Sequence, residues 1–239
     1  MIGESCTDVF TYGDCTRLCP EAPVPIFNPT KVVENLGMAY NVYKNINSLG
    51  NQCRILTNEN CKRIVKTRFI DGVTNHMFMR LDENDKMYGN CKIKNINLNL
   101  YDAVVISDYN KGFLKEKDIE YISKNHDLVF LDTKKILGPW AKNVNYIKIN
   151  IHEYEKTKKM IDEETYNNLI ITMGAAGAKH KDITYPVDEV EIKDVSGAGD
   201  TFLAGLVTEY MKTKCIEASI KFANDCATKV VQKKGVSVV

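Results

Sequence analysis

A chain of 239 residues is long enough for one substantial core and short for two domains. Hydrophobic residues make up 44% and charged residues 26%, a globular balance, and a formal net charge of +1 gives no electrostatic case for nucleic acid or an anionic membrane. No apolar run approaches the roughly 20 residues that span a bilayer, and the N-terminus lacks a signal-peptide core, so a cytoplasmic protein is expected.

The chain opens on Met1 and Ile2, an apolar pair that precedes Gly3-Glu4 and Asp8. Pro20-Glu21-Ala22-Pro23-Val24-Pro25 cannot lie inside a sheet and reads as an edge or lid. Asp71-Gly72 predicts a hairpin turn within 66–86. From 102 onward the pattern changes. Short apolar runs at 102–108, 128–132, 145–150 and 169–174 read as buried parallel strands, with charged helical segments at 114–123 and 153–161. That alternation argues an α/β fold, a mainly parallel sheet covered by helices on both faces with ligands at the strands' C-terminal ends. A last helix carries Ile216, Ile220, Ala223, Ala227 and Val230 as a core stripe, and Lys233-Lys234 before Gly235 reads as a helix end. The eight cysteines form no CxxC pair and the four histidines are scattered, which argues reduced thiols and no structural zinc. Repeats, linkers and low-complexity segments are absent from the sequence.

Between these elements, at 194–206, runs DVSGAGDTFLAGL. Gly197-Ala198-Gly199 lets backbone N–H groups approach a ligand closely. Phe202, Leu203, Leu206, Val207, Tyr210 and Met211 then recur at helical spacing and predict one buried stripe. A small-residue turn opening a helix suits an anion. Asp200 stands at its mouth. A carboxylate beside an anion hole makes sense where a phosphoryl group moves onto a hydroxyl: the hole holds the phosphate while the carboxylate orients the hydroxyl and takes its proton. The plainer reading is an ordinary helix start with Asp200 stabilising the N-terminus. On either reading the helix end favours the ionised carboxylate and predicts a weak base. A Walker loop is excluded because no Lys follows Gly199, and a dinucleotide fingerprint because Phe202 stands where a third Gly belongs.

The stretch resembles the C-terminal signature of the ribokinase-type (PfkB) carbohydrate kinases, with Gly197, Ala198 and Gly199 at the anion hole and Asp200 at the catalytic base. Residues 19–50 are similar to the kinase half of the bifunctional ADP-heptose synthases, in the proline-rich run, Gly37, Asn41 and a helix ending Ser48-Leu49-Gly50. Ser107-Asp108-Tyr109, Lys111-Gly112 and Asp132-Thr133-Lys134 match further motifs of that group. The departures are Met38 at a family glycine and Tyr40 at a usual alanine, both bulky enough to reshape a sugar pocket, and a stretch missing after Asn58. Only Met1 and Ile2 remain of the family's first strand.

The resemblance implies a ribokinase-like fold with a small β lid, about 9–35 and 64–92, shortened at one edge, all within one domain spanning 1–239. It implies a magnesium-dependent, ATP-using sugar kinase, with D-glycero-D-manno-heptose 7-phosphate as the indicated substrate. Another sugar kinase of the same fold, acting on a hexose, pentose or nucleoside, is the alternative, and a non-catalytic nucleotide-binding member is a third reading. Asp8, Gly37, Asn41, Lys111 and Lys134 become candidate sugar-binding residues, and Lys134 could neutralise phosphate charge. Arg68 and Arg80 could meet a sugar phosphate from the lid, or be solvated strand charges. Asn150, Thr172, Gly174, Gly177 and Asn224 become candidate nucleotide contacts. Glu153, in the Asn-x-x-Glu motif, becomes the Mg²⁺ carboxylate, acting through water; one is chemically sufficient because Mg²⁺ keeps several waters. The resemblance also admits a monovalent cation and a homodimer formed through the lid. Any nucleotidyltransferase activity is expected from a separate chain or not at all.

Overall fold

The computed structural model describes residues 1–86 and 88–239, with the backbone alone for Lys94. Met87, inside the second segment read as lid, lies outside the described residues. The chain starts with a two-residue strand, β1 (Ile2–Gly3), and passes at once into β2 (Ser5–Asp14). β3 (Asn28–Met38) returns antiparallel to β2, and the proline-rich run forms the exposed connection between them. After helix α1 (Ala39–Ser48), β4 (Val65–Asp71) joins the other side of β2 in parallel. β5 (Met77–Glu83) then pairs antiparallel with β4. The result is a four-stranded sheet in the order β3-β2-β4-β5. Its turn at 72–76 is made by Asp71, whose Oδ1 accepts from the N–H groups of Val73 and Thr74 at 3.0 and 2.6 Å. This sheet begins at Ser5 rather than Val9 and runs to Met38 rather than Asn35, so Asp8 and Gly37 are strand residues.

The expected buried strands follow as β6 (Val104–Asp108), β7 (Val129–Thr133), β8 (Tyr146–Asn150) and β9 (Leu169–Thr172), all parallel. Two short antiparallel strands that the sequence reading missed, β10 (Ala178–His180) and β11 (Ile183–Tyr185), complete the sheet. Its order is β1-β6-β7-β8-β9-β10-β11. Strand alternation sends Ile106, Leu131 and Ile149 to one core and Val105, Phe130 and Ile170 to the other. Helices α2 (Glu116–Lys124) and α3 (Ile151–Thr157) cover the first face; α1, α5 (Ala198–Thr213) and α6 (Ile216–Val231) cover the second. The segment read as one helix to Ile161 instead stops at Thr157, and a separate short helix, α4 (Glu163–Asn167), follows.

One expectation about α5 fails. Its spacing predicts a single apolar stripe, yet every residue from Asp200 to Thr208 is buried. Helix α5 is packed between α1 and α6 as well as against the sheet, so this part of it has no solvent side, and its last turn, from Glu209, meets solvent. Gly205 permits the close approach: a Cβ there would lie 3.1 Å from the Cα of Ala223. The shortened edge is also visible. Outside β1, among the described residues, stands only an isolated bridge from Ile2 to Leu56, and irregular chain with a 3₁₀ turn (Cys61–Arg63) leads on to β4. No helix among the described residues is long and apolar enough to cross a membrane.

Candidate active site

The C-terminal ends of β6 to β9 and the first turn of α5 surround a cavity of about 730 Å³. A second, of about 320 Å³, lies between that turn, α1 and the four-stranded sheet. Tyr109, Lys134, Gly197 and Asp200 line both, so the carboxylate read as the base stands at their junction.

Two donors hold it. Asn41 Nδ2 donates to Asp200 Oδ2 at 3.0 Å, and the Tyr109 hydroxyl donates to Oδ1 at 2.8 Å. Burial pushes the carboxyl up to about 6; the bonds from Asn41 and Tyr109 oppose that shift, nearby Asp132 adds to it and Lys148 opposes it. The helix terminus predicts a depressed value, and desolvation outweighs it. Gly197, the N-cap, has φ 81°, and a Cβ there would lie 2.7 Å from Asn41 Nδ2. It is required both by backbone conformation and by Asn41, the partner of Asp200. The Ala198 N–H bends to the Val195 carbonyl at 3.3 Å. That leaves the N–H groups of Gly199 and Asp200, which have no partner inside the helix, as the donors this turn offers an anion.

Asn150, Glu153, Thr172, Gly174, Gly177 and Asn224 all line the larger cavity. Several also have structural tasks. Asn150 and Glu153 form a capping box at the start of α3, with side-chain to backbone bonds of 2.9 and 2.8 Å. Asn224 donates to the Tyr185 carbonyl at 2.8 Å, and Gly177 backs onto that same carbonyl, where a Cβ would come within 2.1 Å. Glu153 Oε2 serves the cap, while Oε1 lies 3.5 Å from Lys134 Nζ. One carboxylate at the cavity wall fits a Mg²⁺ ion that takes its other ligands from water and phosphate.

Asp8, Asn41 and Lys111 line the smaller cavity, as do Arg68 and Arg80. Asp8 accepts from Arg68 at 2.6 Å. Gly37 does not line it, but is required by it: a Cβ at Gly37 would sit 1.7 Å from Asp8 Oδ2. Met38 does reach the cavity, at φ 60° and ψ −130°, a conformation suited to the family glycine it replaces. The Tyr88 hydroxyl meets its sulfur at 3.7 Å. Tyr40 lines neither cavity and packs against Tyr43 with the ring centres 5.2 Å apart and the planes tilted by 55°, so the expectation that it reshapes the pocket is not met.

Three residues escaped the sequence reading. Lys66, buried on β4, lines the smaller cavity and pairs with Asp82 at 3.2 Å and with Asp85, which also holds Lys111. Lys148, buried on β8, donates to Asp132 at 2.7 Å and stands under Gly199, where a Cβ would lie 2.9 Å from its Nζ. Burial disfavours its charge, but the surrounding carboxylates, Asp132 first and then Asp200 and Glu153, together outweigh that and its pKa is raised. Tyr109, quoted only as part of a motif, is a direct partner of Asp200.

The model of the pfkB family carbohydrate kinases matches residues 119–238. The bifunctional protein HldE of Helicobacter pylori strain J99 is 28% identical to this chain, over 98% of its length and 63% of the relative's. The HldE protein of Sulfurimonas denitrificans is 30% identical over 100% of the chain and 61% of its own length. The chain thus spans a little under two thirds of the curated relatives it matches. Among solved structures, the Methanocaldococcus jannaschii nucleoside kinase superposes with a TM-score of 0.71 at 18% identity, covering 98% of this chain and 91% of that one. At those identities the likeness is one of fold.

Proposed function

The chain belongs to the pfkB family of carbohydrate kinases, and on that premise we propose that it transfers the γ-phosphoryl group of MgATP to the anomeric hydroxyl of a heptose 7-phosphate. What carries the substrate reading is the smaller cavity, where Lys66, Arg68, Arg80, Lys111 and Lys134 converge beside Asp8 and Asp200. Basic side chains arriving from both sheets suit a sugar that already bears a phosphate, with Asp8 and Asn41 left for its hydroxyls. Asp82 and Asp85 hold several of these cations in place from behind. The kinship with HldE proteins points the same way.

In this reading the nucleotide occupies the larger cavity. Its transferring phosphate lies against the N–H groups of Gly199 and Asp200, above the buried ammonium of Lys148. Mg²⁺, with Glu153 as its protein carboxylate through water, would neutralise charge on the phosphates. Asp200 orients the sugar hydroxyl and accepts its proton late in transfer. Lys134, over the Tyr109 ring at 4.9 Å, stands where charge moves from one cavity to the other.

The test is ADP release with heptose 7-phosphate, the unphosphorylated heptose, hexose 6-phosphates, ribose and a nucleoside, with ³¹P NMR of the product. The highest kcat/KM is expected for the phosphorylated heptose, with an anomeric phosphate as product. A larger value for an unphosphorylated sugar would reassign the substrate, and ATP binding without turnover of any of them would leave a nucleotide-binding protein.

A further inference from the structure

The base is held by a tyrosine whose own position is fixed at three points. We propose that Tyr109 is a positioning residue for Asp200, its hydroxyl fixing the carboxylate in the orientation that accepts the sugar's proton. The inference rests on the kinase reading for its effect on rate, while its effect on Asp200 is independent of any substrate.

The backbone comes first. Tyr109 follows β6 in a tight turn through Asn110, whose φ is 55°. Glu4, wholly buried, clamps that turn by accepting from the N–H groups of Tyr109 and Lys111 at 2.9 and 3.1 Å. The ring is fixed next, with Lys134 Nζ 4.9 Å from its centre. The hydroxyl completes the set at 2.8 Å from Asp200 Oδ1. With Asn41 on Oδ2, the carboxylate is held at both oxygens and cannot rotate. Each oxygen keeps a lone pair for an incoming hydroxyl.

A space-filling role would need only the ring. The hydroxyl adds a bond to the charged form of the base, which favours ionisation against the burial that opposes it. The other charges around Asp200 come from every side. Asp132 on β7 disfavours its ionisation and Lys148 on β8 favours it. Asp8 with Arg68 faces it across the smaller cavity from the second sheet, and Lys66, Lys111 and Lys134 line the same space. Burial and the neighbouring carboxylates hold the Tyr109 hydroxyl well above the usual phenol range, so it stays a donor throughout the working pH range.

Tyr109→Phe removes the hydroxyl and keeps the ring. The measurement is a ¹³C NMR titration of the ligand-free protein labelled at the aspartate carboxyl carbons, with Asp200 identified by its missing signal in Asp200→Asn. The free protein is used because phosphate monoesters titrate near 6 themselves. The Asp200 midpoint, about 6 in the wild type, should rise by about one unit, the effect of losing one bond to a charged group. In turnover assays kcat at pH 7 should fall about 10–100-fold, with partial recovery as pH rises and the KM for ATP unchanged. A midpoint that stays or falls overturns the proposal. A midpoint that rises in a protein that phosphorylates no sugar upholds the positioning of Asp200 and removes the kinase reading instead.

Discussion

As the proposed base, Asp200 meets two conflicting demands, since a base at the junction of two cavities must be ionised and its burial disfavours that. The cost is visible in a pKa moved from an ordinary 3.8 to about 6. Asp200→Asn is therefore expected to bind ATP within a few-fold of wild type and to release ADP about 10²–10⁴-fold more slowly at pH 7. The same shift predicts a pH-dependent stability. A carboxyl raised on folding contributes most below its unfolded pKa and loses that contribution as pH rises through the folded value. Wild type should thus gain on the Asn variant as pH falls from about 6 to about 4, by on the order of 3 kcal/mol at most. Urea unfolding of both proteins at pH 7.5 and 4.5 reads this directly; an unchanged gap would show that Asp200 titrates without coupling to the fold. Much of this residue's setting was legible, because Gly197, Ala198, Gly199 and Asp200 are contiguous and carry their chemistry in one turn. Its pKa was not: a helix start is read locally, whereas burial depends on α1, Tyr109 and the sheet.

The proposed sugar site depends most on the pair β2 and β3, where Gly37 leaves room for Asp8 to reach the smaller cavity. Gly37→Ala places a methyl on the Asp8 carboxylate and should drive it off Arg68. The expected result is a KM for the sugar raised about tenfold or more, with the KM for ATP little changed and a stability loss of about 1–3 kcal/mol from overpacking. If both KM values stay at wild type, Asp8 has no part in sugar binding. The same sheet shows why strand charges are hard to read. Lys66 and Arg68 alternate along β4 with Val65, Thr67 and Phe69, the pattern of a solvated strand, and Lys148 between Ile147 and Ile149 on β8 looks no different. Only the sheet orders, with β4 beside β2 and β8 between β7 and β9, show which of these reach a cavity. Asp71-Gly72 and the proline-rich run, by contrast, announce their turns within a few residues.

At the scale of the whole molecule, the strands from 102 onward were legible because each is a short apolar run. β10 and β11 were missed because three-residue strands leave no periodicity to detect. The reduced edge, with the two-residue β1 and a single bridge beyond it, has an effect that reaches further than topology. β6 has a full parallel partner in β7 but only Ile2 and Gly3 on its other side. Amide protection should therefore be highest in β7 and β8 and fall across β6 to β1, as local openings concentrate where few bonds must break. Deuterium uptake resolved by peptide would show this gradient, and uniform protection across the sheet would refute it. Tyr109 and the turn clamped on Glu4 hang from the end of β6. On warming, the wall between the two cavities should loosen while the rest of the sheet still holds, and phosphoryl transfer should fade several degrees before the protein melts.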